Sequence, residues 1–288
     1  AFKRIHKAKV VVKIPSLLEE EIKGVGNIKV HRLDKKIFER LLSISDRFVV
    51  YKADRIAVPS LLFYRELCKR RRVKSRAPPL ITPPGVDLIK INKIRKMSEV
   101  ESARDEREFT IGYIGLLEWW QGVDILVKAV HILQSDVNLR LKILIVGDGP
   151  RRNKIEVLCR NLNVRCEITG FVPHEYALKM MKRFEVLAVP RLRTLTTETN
   201  IPLKVIEAWA LGIPVVITGH KILHSFEGFT KMPALFCEPR PESVAETLKL
   251  IIYNDKVVRE LRDKGSMIVK RFNYDTIAKS IIEVVDGI

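Results

Sequence analysis

Short apolar runs alternate with longer segments in which apolar residues recur every three or four positions. The apolar runs, which are bounded by turn residues, predict strands at 8–14, 55–59, 80–83, 109–114, 141–146, 166–169, 186–189 and 214–218. The periodic segments predict helices at 37–52, 61–72, 123–133, 174–183 and 202–211. Strands that alternate with helices in this way predict an α/β fold built on parallel sheets.

The two parts of the chain differ in the number of strands that they predict. Residues 1–105 hold about three strands, whereas a doubly wound domain has about five or six. We therefore expect this part to be an incomplete domain, with a charged linker at 88–108. Residues 106–272 predict a fuller Rossmann-like domain, and residues 273–288 predict a terminal helix.

Positive charge is concentrated in the first part. Up to residue 108 the sequence has 27 Lys and Arg against 14 Asp and Glu, and the remainder has 25 against 20. The densest basic run, at 69–76, fits either an anionic membrane surface, at about 1 kcal/mol per basic residue, or a solvated helix end. Nucleic acid is not favoured, because no nucleic-acid-binding module accompanies the charge.

Two further features bear on the compartment. No apolar run reaches the ~18 residues of a membrane span. The four cysteines lack paired spacing, which indicates reduced thiols and favours the cytoplasm.

Candidate chemistry lies in the loops that follow predicted strands, where open α/β sheets bind ligands. Gly112 and Gly115 end one strand shortly before a helix, an arrangement that suits phosphate binding but is weak evidence alone. Phe171, in a loop after another strand, could flank a nucleobase or belong to the core.

Glu207 shares the predicted face of its helix with apolar side chains. A carboxylate there needs a partner to offset its desolvation. A ribose diol, an internal salt bridge and a helix-cap contact all meet that requirement.

Four sequence blocks resemble one family when they are taken together. They are YIGLLEWWQGVDILVKA (113–129), LIVGDGPRRNKIEVLCRNLNV (144–164), ITGFVP (168–173) and PLKVIEAWALGIPVV (202–216). In this order and spacing they resemble the donor domain of group 1 (family 4) retaining glycosyltransferases, which have the GT-B fold. ADRIAVPS (53–60) and ITPPGVD (81–87) resemble the last strands of the family's acceptor domain, and 273–285 resembles the helix that crosses back to it.

The resemblance implies a donor site for a nucleotide-diphosphate sugar, with no metal or other cofactor, and a lipid-linked or polysaccharide acceptor. It places the diphosphate at Gly115, the base at Phe171 and Val172, backbone amides of 200–203 at the sugar and phosphate, and the ribose at Glu207. The implied donor-binding residues are Gly115, Leu116, Gln121, Gly147, Phe171, Val172, Thr199, Asn200, Ile201, Pro202, Leu203, Lys204 and Glu207. With the reduced cysteines and the basic run at 69–76, we expect a location in the cytoplasm, at the inner face of the membrane.

The chain departs from the family pattern at the diphosphate. Leu116 and Gln121 stand where the family has two cations, and Lys204, Arg191 or Arg193 are the candidates to replace that charge.

The family's first acidic residue is replaced as well. Thr199 stands at that position, which leaves the adjacent Glu198 as the candidate catalytic residue. A catalytically degenerate protein that binds a nucleotide or glycan without turnover is the alternative to an active transferase.

Overall fold

The computed structural model describes residues 10–16, 32–97, 108–224 and 232–286, and it contains two parallel β-sheets. The first sheet has the order β1-β2-β3, with β1 at Val11–Lys13, β2 at Arg55–Val58 and β3 at Leu80–Ile81. Helices α1 (Arg32–Lys52) and α2 (Leu61–Arg71) connect these strands. The strands and helices predicted here are confirmed with shifted ends, and residues 8–9 of the first predicted strand lie outside the described residues.

The second sheet has six strands in the order β6-β5-β4-β7-β8-β9. Its strands are β4 (Glu108–Ile114), β5 (Arg140–Val146), β6 (Arg165–Ile168), β7 (Val186–Val189), β8 (Val215–Thr218) and β9 (Leu235–Cys237). The helices around it are α4 (Val123–Gln134), α5 (Arg152–Asn161), α6 (His174–Met181), α7 (Leu195–Thr199), α8 (Leu203–Leu211), α9 (Lys221–His224), α10 (Pro241–Tyr253) and α11 (Asp255–Ile268). The predicted α/β architecture with parallel sheets is therefore confirmed.

The strand order creates a topological switch point between β4 and β7. From β4 the chain moves outward through β5 to β6, then returns to the other side of β4. The loops after β4 and β7 consequently leave the sheet in opposite directions and open a crevice at their carboxyl ends, which is where such sheets bind ligands. Phe184, which lies just before β7, packs closely against β4, because a Cβ at Gly112 on β4 would lie 2.0 Å from Cγ of Phe184.

Apolar side chains cover both faces of this sheet. Strands β7 and β8 are buried along their whole length, as expected for parallel strands with helices on both sides. On one face Trp209 of α8 is buried, its ring centroid lies 6.2 Å from that of Phe272, and its Nε1 donates to Pro233 O at 2.9 Å. Helices α4 and α10 pack together on the other face.

The linker predicted at 88–108 is wrong for its first half, which forms helix α3 (Leu88–Lys96). Asp87 caps it, since its Oδ1 accepts a hydrogen bond from Lys90 N at 2.9 Å. Ile91 and Ile94 are buried in the core that includes α8. Their strip is narrow and lies among charged residues, so the sequence shows no clear apolar period.

The terminal helix, α12 (Tyr274–Asp286), begins beside the end of the first part. Val86 N donates to Phe272 O at 2.8 Å, and Tyr274 N donates to Val86 O at 3.0 Å. The two parts also meet where Ser60 Oγ donates to Thr199 O at 2.7 Å. Within the described ranges, no helix has the length and apolar character needed to cross a bilayer.

Candidate functional site

The loops after β4 and β5 are joined by backbone contacts. Leu117 N donates to Asp148 O at 2.8 Å, and Gly115 N donates to Val146 O at 2.9 Å. Gly147 has φ +150°, and a Cβ there would lie 2.1 Å from Gly115 O. Gly147, predicted to bind the donor, thus lies against the Gly115 loop and holds it in place.

The absence of a side chain at Gly115 lets the Lys204 ammonium approach the loop after β4. The φ of +126° at Gly115 favours glycine, and a Cβ there would lie 2.8 Å from Lys204 Nζ. Lys204, on the first turn of α8, lies 3.3 Å from Tyr113 Oη and 3.4 Å from Gln121 Oε1. Its ammonium also lies 4.3 Å from the centroid of the Tyr113 ring. Lys204 therefore supplies positive charge beside Gln121, where the family has its own lysine.

Burial disfavours the charge on Lys204. It holds the pKa of the lysine well below its ordinary value, and the charge of Arg191 acts in the same direction, while Glu207 opposes both. Burial likewise raises the pKa of Tyr113, whose hydroxyl donates to Leu116 O at 2.8 Å. Burial thus disfavours the charged form of Lys204 and keeps the hydroxyl of Tyr113 neutral.

Arg191, which follows β7, is a second cation at the crevice and, unlike the half-buried Lys204, it is buried. Only 5% of it is exposed, and its guanidinium lies 4.9 Å from the centroid of the Trp120 ring. Its Nε and Nη1 are buried without a hydrogen-bond partner among the described residues. Burial lowers its pKa to about 10. Two cations against the same loop, one of them with unpaired donors, make an anion the missing partner.

Helix α8 points its amino-terminal end into the same crevice. Its first N–H groups have no carbonyl partner within the helix, and they add partial positive charge. The backbone N–H of Asn200 differs from its predicted use, because it donates to Thr196 O at 3.0 Å. The Asn200 side chain donates to Pro15 O at 3.2 Å, and Pro202 has no N–H. Free amides must therefore come from Ile201, Leu203 and Lys204.

Glu198, the predicted catalytic residue, lies at the edge of the crevice. Its Oε2 accepts from Lys221 N at 3.0 Å, and its Oε1 lies 3.8 Å from Arg193 Nη1. Arg193 also contacts Glu238, so it is paired and does not take the place of the lost cations. His220 Nδ1 lies 3.5 Å from Glu198 Oε1.

His220 is fully buried, and its Nε2 has no partner among the described residues. Burial and the nearby Arg191 lower its pKa to about 4, against the opposing effect of Glu198, so the ring is neutral. Sequence reasoning missed His220, although its place directly after a buried apolar strand was a usable signal.

Glu207 and Phe171 occupy the other end of the crevice. Glu207 is buried, and its Oε1 lies 2.6 Å from Nε2 of His174, an exposed residue at the start of α6. Of the three kinds of partner that the sequence leaves open for Glu207, the structure therefore shows an internal one, the His174 side chain. Phe171 is 88% exposed, which excludes a place in the core. Val172, by contrast, is partly buried and packs against the core.

The basic run at 69–76 is divided between structure and surface. Arg71 is buried, and its Nε lies 2.8 Å from Asp46 Oδ2. Arg72 ends α2 in the left-handed conformation, with φ 50°. Lys69, Lys74 and Arg76 remain exposed.

The described residues contain no group of three or more His, Cys, Asp or Glu placed to hold a metal ion.

Comparisons with known proteins agree with this geometry. The family model described as "Glycosyl transferases group 1" matches residues 95–286. An uncharacterized glycosyltransferase of Methanocaldococcus jannaschii is 26% identical over 186 residues, covering 62% of this chain and 44% of the relative. One of Haemophilus influenzae is 28% identical over 178 residues, covering 58% and 46%. The matches thus span less than half the length of these relatives.

Solved structures share the fold. A sucrose-phosphate synthase of Thermosynechococcus elongatus superposes with a TM-score of 0.68 at 21% identity, covering 100% of this chain and 76% of that one. The HepE protein of Anabaena, solved in complex with UDP, gives 0.70 at 16% identity, covering 99% and 74%. At these identities the likeness establishes the GT-B architecture.

Proposed function

Because the chain belongs to the glycosyl transferases group 1 family, we propose that it transfers a hexose from a nucleotide-diphosphate sugar to a lipid-linked or polymeric glycan. We further propose that the reaction follows the family 4 pattern, with retention at the anomeric carbon and no metal ion. The acceptor is reached from the cytoplasm at the inner face of an anionic membrane, which the exposed part of the 69–76 run contacts.

One observation carries this proposal: the half-buried Lys204 and the buried Arg191 both lie against the loop after β4, at Gln121 and Trp120 respectively. In glycosyl transfer the bond from the sugar to the terminal phosphate breaks, and negative charge develops on the departing oxygen. Cations already placed in a water-poor site stabilise that charge without further reorganisation. The free amides at the start of α8 act in the same direction.

The rest of the donor fits around this anion site. Glu207, whose Oε1 lies 2.6 Å from His174 Nε2, is proposed to bind the ribose diol, and the exposed ring of Phe171 can flank the base. The acceptor oxygen forms the new bond on the face that the diphosphate leaves, and the acceptor proton passes to the departing phosphate oxygen. Glu198, fixed by Lys221 N, is proposed to orient the sugar at the reacting centre.

Calorimetry with UDP-, GDP- and ADP-sugars tests donor binding. We expect one of the three to bind tightly and Lys204→Met to weaken that binding about tenfold or more, as for a lost charge-assisted hydrogen bond. Lys128→Met, a change at an exposed lysine of α4, is the matched control. If none of the donors binds to the protein, the proposal fails.

The alternative is a degenerate family member that binds the donor without turnover. The side chains that favour it are Leu116, which is 53% exposed and uncharged, and the neutral Gln121. Product formation from the bound donor and a lipid-linked acceptor would exclude it. Donor binding with no product, together with turnover gained by Gln121→Lys, would establish it.

A further inference from the structure

Helix α1 carries an apolar stripe on the side that faces away from the core. The stripe consists of Ile37, Leu41, Ile44, Phe48 and Tyr51, which recur every three or four residues. Each of them is between 53% and 62% exposed. At about 1.5 Å per residue the stripe is about 21 Å long.

The opposite side of α1 packs against the rest of the first part of the chain. Val50 is fully buried in the core of the first sheet, and Ala53, just past the helix end, is buried as well. Asp46 turns toward α2, where it pairs with Arg71 at 2.8 Å. The helix therefore has one face that packs in the domain and a second apolar face without a partner among the described residues. A contiguous apolar patch of this kind marks an interaction surface.

Cations border the stripe. The Arg76 guanidinium lies 4.5 Å from the centroid of the Tyr51 ring. The Lys52 ammonium lies 5.7 Å from the same ring and 5.9 Å from that of Phe48. Arg40 and Arg47 are exposed on the same helix. An apolar strip with a basic border matches a layer that is apolar inside and anionic at its surface.

We propose that α1 lies in the surface of an anionic phospholipid bilayer, with its stripe at the boundary between headgroups and acyl chains and its basic border on the lipid phosphates. Helices with these two features bind membranes in the plane of the interface, through buried apolar area and attraction to anionic lipid. The inference rests on the membrane contact of the proposed function and deepens it, because it adds an apolar insertion face beside the 69–76 run, whose Arg76 belongs to the basic border.

The test is co-sedimentation of the full chain with vesicles of phosphatidylcholine alone, or of phosphatidylcholine with phosphatidylglycerol. We expect the protein to bind to the anionic vesicles only, and we expect part of that binding to persist at high salt. Ile44→Ser with Phe48→Ser should remove the salt-resistant part and lower the partition coefficient about tenfold or more. Leu250→Ser with Tyr253→Ser, at exposed positions of α10, is the matched apolar control.

A second pair of variants tests the border. Arg47→Gln with Lys52→Gln should lower binding to anionic vesicles about tenfold at low salt. Arg262→Gln with Lys256→Gln, exposed on α11, should change it little. Circular dichroism and calorimetry with UDP, GDP and ADP report whether each variant is folded.

Three results would overturn the inference: equal binding to both kinds of vesicle, stripe variants that bind like the unaltered chain, or stripe variants that only dissociate a dimer. Vesicle binding in a chain that binds none of the nucleotides would sink the proposed function and leave this inference standing.

Discussion

Lys204 Nζ lies 3.4 Å from Gln121 Oε1, although the two residues are 83 positions apart. Lys204 comes from the first turn of α8 and Gln121 from the turn after β4. The ammonium thus occupies the space into which a lysine at 121 would extend. The resemblance places a cation on the β4 loop, and here the Lys204 side chain of the neighbouring helix lies in the same place.

We predict that Gln121→Lys destabilises the unliganded protein by about 1–3 kcal/mol, because it places a second ammonium beside Lys204 in a buried site. The exchange variant Gln121→Lys with Lys204→Gln should recover most of the lost stability and nucleotide affinity. Denaturant unfolding and calorimetry on the four proteins form a double-mutant cycle. Additive effects of the two changes would contradict the contact.

For Arg191 we predict opposite effects on stability and binding. Arg191→Met removes a buried cation with unpaired donors, so the free energy of unfolding without ligand should rise by about 1 kcal/mol. Nucleoside diphosphate affinity should fall about tenfold or more. Thermal unfolding with and without UDP, GDP and ADP measures both effects, and Arg160→Met, at an exposed arginine of α5, is the control. A loss of stability with unchanged affinity would show that Arg191 is structural.

Nucleotide binding should be accompanied by proton uptake. The pKa of Lys204 is low in the free protein, and a bound diphosphate raises it by stabilising the ammonium. Between the free and bound pKa values affinity therefore falls as pH rises, once the terminal phosphate is fully ionised. Stability without ligand rises with pH over the same range, because the unfolded chain binds more protons. Arg191, with its pKa lowered to about 10, adds to both slopes at higher pH.

Calorimetry in buffers of different ionisation enthalpy measures this uptake. The same titration of Lys204→Met should show little of it, and an unchanged uptake would assign the proton to another group.

Phe171 should affect base recognition without affecting stability. Its ring is 88% exposed, so Phe171→Ala should leave the unfolding midpoint unchanged. If the ring stacks on the base, affinity for the preferred nucleoside diphosphate should fall about five- to tenfold or more, at ~1–3 kcal/mol per stacked base. Affinity for inorganic pyrophosphate should not change. Met267→Ala, at another highly exposed apolar side chain, is the control.

Much of the fold follows from local pattern. Five of the six strands of the second sheet are predicted from apolar-rich runs, and their alternation with periodic segments predicts parallel pairing. The strand order that brings the β4 and β7 loops together, and the short strand β9, are seen only in the structure. Helix α3 was missed because only Leu88, Ile91 and Ile94 carry its apolar strip, and tertiary packing against α8 stabilises it.

The site was less predictable, because its contacts join residues distant in the sequence. The pair His174 and Glu207 spans 33 positions, and neither residue carries a local signal for the other. The pattern could show that Glu207 needed a partner without showing which one. The unpaired Nε and Nη1 of Arg191 are likewise a property of the packed crevice, where the described part of the chain brings no hydrogen-bond partner to them.

The contact between Gly115 and Gly147 also limits how this chain can diverge. A side chain at position 147 would collide with Gly115 O, and one at 149 would come within 2.6 Å of Leu117 N. A side chain at position 147 or 149 is therefore tolerated only if the loop after β4 is rebuilt at the same time, so single-step evolutionary routes through these two glycines are closed.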